Sequence, residues 1–131
     1  MMHATGQFTG KSWDEKPFSE VEGGQKLTHV AVTNAYHGDI EGDGTLEYLM
    51  VYLPDGSARY MGLERIVGRI GDRRGSFVVQ HTGIFAGDAA RTSLSIVSDS
   101  GTGDLRNLRG AGSFTAYHGQ SGAEYTLEYE M

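Results

Sequence analysis

The stretch 58-ARYMGLERIVGRI-70, the polar reversal 71-GDRRG-75 and the run 76-SFVVQHTGIF-85 decide the fold. Two runs of branched and aromatic residues flank a Gly-bounded turn, which is the signature of a β-hairpin. Centring the turn on Asp72-Arg73 sets Ile70 opposite Gly75, Ile66 opposite Val79, Gly62 opposite Gly83 and Glu64 opposite His81. Side chains alternate along a strand, so Tyr60, Gly62, Glu64, Ile66, Gly68 and Ile70 share a face with Phe77, Val79, His81, Gly83 and Phe85. A carboxylate and an imidazole on an otherwise apolar face cost folding free energy, so their presence asks for a reason.

The same punctuation recurs along the chain: EGG at 22–24, GDIEGDG at 38–44, PDG at 54–56, AGDA at 86–89, SDSGTGD at 98–104 and HGQSG at 118–122. It predicts eight strands, at 4–13, 26–37, 44–53, 57–70, 75–86, 89–98, 108–118 and 123–130. No long segment shows a helical period. Short connections imply an antiparallel meander, and eight strands without a covering helix imply an all-β, eight-stranded antiparallel up-and-down β-barrel, a calycin-like closure that removes exposed edges. One domain is expected over 1–131.

Three further turns extend the register. In 53-LPDGS-57 Pro presets the turn and Gly56 takes the left-handed position, so Leu53 pairs with Ser57 and Tyr52, Met50, Tyr48 and Leu46 join the face of Glu64. A one-residue shift would turn Glu47, Leu49 and Val51 inward instead, and the sequence leaves the orientation of Glu47 open. Gly87-Asp88 pairs His81 with Leu94, and HGQSG pairs Phe114 with Leu127 and Gly112 with Tyr129. The outer face carries Leu49, Val51, Met61, Leu63, Val67, Val78 and Ile84, apolar enough to predict a homo-oligomer, a dimer or trimer.

The formal charge is −6, from 17 acidic and 11 basic residues, which argues against nucleic acid or an anionic membrane as partner. The densest basic group, Arg69, Arg73 and Arg74, falls at a hairpin tip. There is no Cys, hence no disulfide framework and no thiol nucleophile. No apolar run is long enough to span a membrane and the first residues lack the pattern of a signal peptide, so a cytoplasmic location is expected.

The segments 11-KSWDEKPF-18, 22-EGGQKLT-28, 38-GDIEGDGTLEYLMVY-52, 54-PDGSARYMGLERIVGRIG-71, 74-RGSFVVQHTGIF-85 and 100-SGTGDLRNLRGAGSF-114 resemble, in order and spacing, the family named domain of unknown function 3224. That resemblance covers nearly the whole chain. It implies a small barrel similar to those of allene oxide cyclase and the plant dirigent proteins, whose Gly-Thr-Gly turn and following strand 101-GTGDLRNLRGAG-112 also resembles. The catalytic and binding residues of that wider group do not map onto this sequence, so the resemblance implies a fold rather than a reaction.

Glu64 and His81 are the candidate catalytic pair. In a poorly solvated cavity the carboxylate would hold the imidazole's tautomer while the imidazole moves a proton; the alternative is a buried hydrogen bond that fixes register. Tyr48, Met50, Tyr52, Tyr60, Phe77, Phe114 and Tyr125 are the candidate ligand contacts, because phenols offer apolar surface with a donor at the tip. Tyr129 shares their face. The alternative is that they fill the barrel, which at eight strands holds little more than side chains. The glycines at 62, 68, 83 and 112, with Ala116, are expected to leave room. Trp13, at the end of the first strand, either closes a mouth over a ligand or plugs it. Asp39, Glu41 and Asp43 imitate a calcium loop without its closing Glu, no metal-ligand spacing occurs among the histidines, and no metal or other cofactor is expected. Two functions follow: uptake of a small apolar or aromatic molecule with Glu64–His81 as polar anchor, or a cofactor-independent isomerase or cyclase using Glu64, His81 or a cavity tyrosine for proton transfer.

Overall fold

A computed structural model describes all 131 residues. Eight strands follow one another, β1 (Met2–Glu20), β2 (Lys26–Gly38), β3 (Ile40–Tyr52), β4 (Ala58–Ile70), β5 (Arg73–Ala86), β6 (Ala89–Ile96), β7 (Arg109–Tyr117) and β8 (Gly122–Glu130). Each pairs antiparallel with the next, and β8 returns to β1, closing the up-and-down barrel that the turn spacing predicts. The one helical feature is a 3-10 turn, Gly103–Leu105.

Two hairpins differ from the predicted register by two residues. In β4–β5 the loop is Gly71-Asp72, so Ile70 lies opposite Arg73, Glu64 opposite Val79 and Gly62 opposite His81. Gly71, at φ +59°, supplies the left-handed conformation that a two-residue loop requires. In β7–β8 Phe114 faces Tyr125 and Gly112 faces Leu127. A shift of two preserves the alternation, so every side chain keeps its predicted face. The pairings of Tyr52 with Ala58 and His81 with Leu94 are as predicted. Glu47 therefore points outward, where its Oε1 meets His29 Nε2 at 2.7 Å.

β1 continues past its predicted end at Trp13. Beyond Gly10 it parts from β8 and runs on along β2 alone, with bulges at Gly10/Ser12 and Pro17/Ser19. An edge strand tolerates Pro17, and the charges of Asp14, Glu15 and Lys16 discourage a stray strand from adding to it. The segment 38-GDIEGDG-44 is mostly strand rather than turn: the reversal is centred on Gly38 and Asp39, and Ile40–Gly44 belongs to β3.

Gly42, Gly68 and Gly75 stand side by side across β3, β4 and β5. A Cβ on Gly42 would collide with the carbonyl oxygen of Val67, and one on Gly68 with that of Glu41. The strands thus coil past each other more closely than side chains permit. Nor do the other inward glycines open the cavity: the space beside Gly62 is taken by the Glu47 carbonyl and Tyr48, beside Gly83 by the Tyr60 ring, and beside Gly112 by the Thr126 carbonyl. Of the residues expected to leave room, only Ala116 borders the large cavity of the barrel.

The two ends of the barrel differ. Ile66, Ile70, Phe77, Val79, Ile96 and Leu127 pack the half nearest the β4–β5 turn. The connection from β6 to β7 folds back across that end. Thr102 N donates to the Ser76 carbonyl at 2.8 Å, Val78 N donates to Ser100 Oγ at 3.0 Å, and Leu105 and Leu108 are buried beneath. The opposite half, around Val32, Leu46, Tyr48, Met50 and Tyr60, stays open. Outside, Leu49, Met61, Leu63, Val67 and Ile84 are exposed on β3 to β5.

Candidate functional site

Glu64 and His81 are offset by one pair in the β4–β5 ladder, yet His81 Nε2 lies 2.9 Å from Glu64 Oε1. Diagonal neighbours are within reach of long side chains, and a missing side chain on β3 makes room for the carboxylate. His81 faces Gly62, and a Cβ on Gly44 of β3 would collide with Glu64 Oε2, with Glu64 Cδ at 2.9 Å and Tyr36 Cε1 at 3.1 Å.

Glu64 has no exposed surface. Its Oε1 also accepts from Tyr36 OH at 2.6 Å, and its Oε2 accepts from Asn34 Nδ2 at 2.9 Å. Three donors and no acceptor converge on it, the set that an ionised carboxylate takes. Nε2 of His81 must then carry a proton. In the neutral ring Nδ1 is left as an acceptor, and Tyr48 OH stands 3.1 Å from it. This forms one chain, Tyr48 to His81 to Glu64, braced by Tyr36 and Asn34. No side-chain nitrogen or oxygen sealed off from all open space is left without a partner.

Above this network lies a cavity of about 680 Å³. Asn34, Tyr48, His81 and Phe114 border its inner end, and Val32, Leu46, Met50, Tyr60, Phe85 and Thr92 its walls. Its rim is built from Gly10–Trp13 of β1 and 117–122 between β7 and β8, where the two strands have parted. Tyr60 OH is tied to Thr92 Oγ1 at 2.6 Å.

At the rim a second carboxylate, Glu15, organises the mouth. Its Oε2 accepts from Tyr52 OH at 2.6 Å and from Thr28 Oγ1 at 2.7 Å, and its Oε1 from Trp13 Nε1 at 3.1 Å. Lys26 Nζ sits 4.7 Å from the centre of the Tyr52 ring. Burial pushes the Glu15 carboxyl up, but the three donors and the Lys26 charge outweigh it, and the group is held below its usual range. Trp13 is half exposed, with its ring 6.2 Å from that of Tyr48.

The cavity tyrosines are poor bases. Burial lifts Tyr48 well above its ordinary value, helped by the charges around it, and burial also raises Tyr60. Tyr36 is lifted the same way, with the Glu64 charge adding to burial. These phenols are donors at neutral pH.

The structure thus brings His81, Tyr48, Met50, Tyr52, Tyr60, Phe114 and Trp13 to one cavity. Glu64 stands behind His81 and does not reach the open space. Phe77 and Tyr125, expected among the ligand contacts, pack in the closed half instead, as does Tyr129. Tyr125 OH accepts from Ile40 N at 2.9 Å, and burial pushes this phenol up to about 12. Asn34, Tyr36, Thr92 and Glu15 belong to the site or its support and were absent from the sequence-based set. The alternation Thr28, Val30, Val32, Asn34, Tyr36 along β2 is the signal that finds the first two. No three His, Asp or Glu side chains converge in a way that could hold a metal ion.

The model of a family described as protein of unknown function (DUF3224) matches residues 4–129. A crystal structure of a protein with unknown function from the DUF3224 family of Shewanella oneidensis MR-1 is similar at 31% identity, covering 100% of this chain and 98% of that one with a TM-score of 0.78. No curated protein matches.

Proposed function

The chain belongs to the DUF3224 family, and we propose that its barrel takes up a small, mainly apolar or aromatic molecule, with His81 and its hydrogen-bonded neighbours as the polar anchor. One observation carries this reading: a cavity of about 680 Å³, walled by aromatic and aliphatic side chains, ends on a polar group that the fold holds in place from behind. That volume is within the range of small-molecule sites, and a few fixed polar groups in an apolar wall are what such sites use for orientation. Glu64 acts here through His81 rather than by contact.

The test is native mass spectrometry of the protein purified from its own host, followed by organic extraction. A compound bound at one per barrel is expected, and Ala116→Phe, which puts a ring into the cavity, should empty it. A protein that is folded and empty in both forms would defeat the carrier reading.

A second reading is favoured by the order Tyr48, His81, Glu64. A phenol at the cavity whose own proton passes to the imidazole, with the carboxylate balancing the charge, can take up a ligand proton and return it, as a cofactor-independent isomerase or cyclase of the kind found among allene oxide cyclase-like barrels would need. The likeness to those barrels is analogy, and fold does not imply function. Recovery of the bound compound in an isomerised form, dependent on Tyr48, would support it.

A further inference from the structure

Glu64 sets the polarity of the cavity floor. Because its carboxylate can only accept, Asn34 must turn its NH₂ toward Oε2, at 2.9 Å, and its amide oxygen the other way. Asn34 is only 4% exposed, and Oδ1 has no hydrogen-bond partner in the protein while the residue borders the cavity. For the same reason the imidazole must donate from Nε2, and in the neutral ring Nδ1 is left to accept the Tyr48 proton. Tyr48 then shows the cavity the lone pairs of its oxygen and not its hydrogen. Two side chains, both set by one buried carboxylate, each turn an oxygen lone pair toward the cavity.

We infer that the ligand carries a hydrogen-bond donor, a hydroxyl on an aromatic or aliphatic frame, which enters first and gives its one hydrogen to Asn34 Oδ1 or to the Tyr48 oxygen. This rests on the carrier reading above and adds the chemical class to it. An ether or ketone of the same shape would bring an acceptor against acceptors, and the floor would stay unpaired.

Glu64→Gln gives the inference a signature that a merely structural role would not produce. The Gln carbonyl can keep the Tyr36 and His81 bonds, but its NH₂ then meets the Asn34 NH₂. A rotation of the Asn34 amide by half a turn repairs the clash and points NH₂ into the cavity, so one floor acceptor becomes a donor.

The experiment is equilibrium dialysis of the full chain with 2-naphthol, 2-methoxynaphthalene and naphthalene, three probes of one frame. Wild type is expected to bind 2-naphthol about tenfold more tightly than the methyl ether, the effect of about one buried hydrogen bond. In Glu64→Gln, shown folded by its thermal melt, that preference should vanish or reverse while naphthalene binding stays the same. Tyr48→Phe exchanges one floor acceptor for another, because His81 Nδ1 loses its donor and borders the same cavity, so the naphthol preference should persist there. Equal binding of naphthol and ether by wild type overturns the donor inference and leaves the carrier reading standing. Binding of none of the three overturns both. The wild-type comparison needs no variant, so a failure of Glu64→Gln to fold does not shield the inference.

Discussion

Gly44→Ala should destabilise this protein although Gly44 is a strand residue without a left-handed backbone, where alanine ordinarily helps. The added Cβ would stand on Glu64 Oε2, with Glu64 Cδ at 2.9 Å and Tyr36 Cε1 at 3.1 Å. The carboxylate has to move, and the first bond it loses is that from Asn34, made at the same oxygen. A hydrogen bond to a charged group is worth about 1.5–3 kcal/mol. The smaller entropy of alanine in the unfolded chain offsets about 0.4–1 kcal/mol. The net loss is then about 1–2 kcal/mol, rising to ~3–5 kcal/mol if the whole carboxylate is displaced and left unpaired in the interior. Urea denaturation followed at the single tryptophan gives the number.

The magnitude alone would not identify the cause, since any clash destabilises. A double-mutant cycle does. In a Glu64→Ala background only the Tyr36 ring edge, at 3.1 Å, remains against that Cβ, so the same Gly44→Ala step should cost much less there. A coupling of at least about 1 kcal/mol is expected. An equal cost in both backgrounds would refute the claim that Gly44 is small to admit the Glu64 carboxylate, and with it the reading of that carboxylate as a fixed part.

Two further outcomes can be measured. Glu15 is held below its ordinary value of 4.5, so its folded-state pKa is the depressed one; its contribution is present above the unfolded value and is lost as pH falls through the folded one. Glu15→Gln should therefore lower the melting temperature at pH 7, by an amount worth less than about 1 kcal/mol because the site is near solvent, and the gap to wild type should close below pH 4.5; a gap that widens in acid would contradict the assignment. The exposed strip Leu49, Met61, Leu63, Val67 and Ile84 is expected to be covered by further copies of the chain, so sedimentation equilibrium should give a dimer or trimer that Leu63→Glu converts to monomer, and a monomeric wild type would end that expectation.

Alternation explains why so much of the barrel was legible and where legibility stopped. Side-chain direction repeats every two residues, so a hairpin misplaced by two still puts each residue on its true face; Glu64, His81, Phe114 and Tyr125 all survived such a shift. What a slip of two destroys is distance. Opposed across the ladder, as the sequence implied, Glu64 and His81 would meet without help. Offset, they meet with the help of Gly44, which carries no side chain where the Glu64 carboxylate lies, and no turn rule assigns a glycine that duty. The partners on β2 were hidden for a related reason. Asn34 and Tyr36 follow Val30 and Val32 on the inner face, but a polar Asn in a strand of moderate hydrophobicity reads as solvent-facing until a buried carboxylate is known to lie across from it. The orientation of the mouth needed knowledge that β1 leaves β8 after Gly10, which depends on the coiling of the whole sheet rather than on any local signal. The residues that give this cavity its chemistry are thus those whose inward placement alternation can find but whose mutual geometry depends on which neighbours lack a Cβ. In a barrel this narrow, the glycines determine where side chains fit before the side chains determine what the cavity accepts.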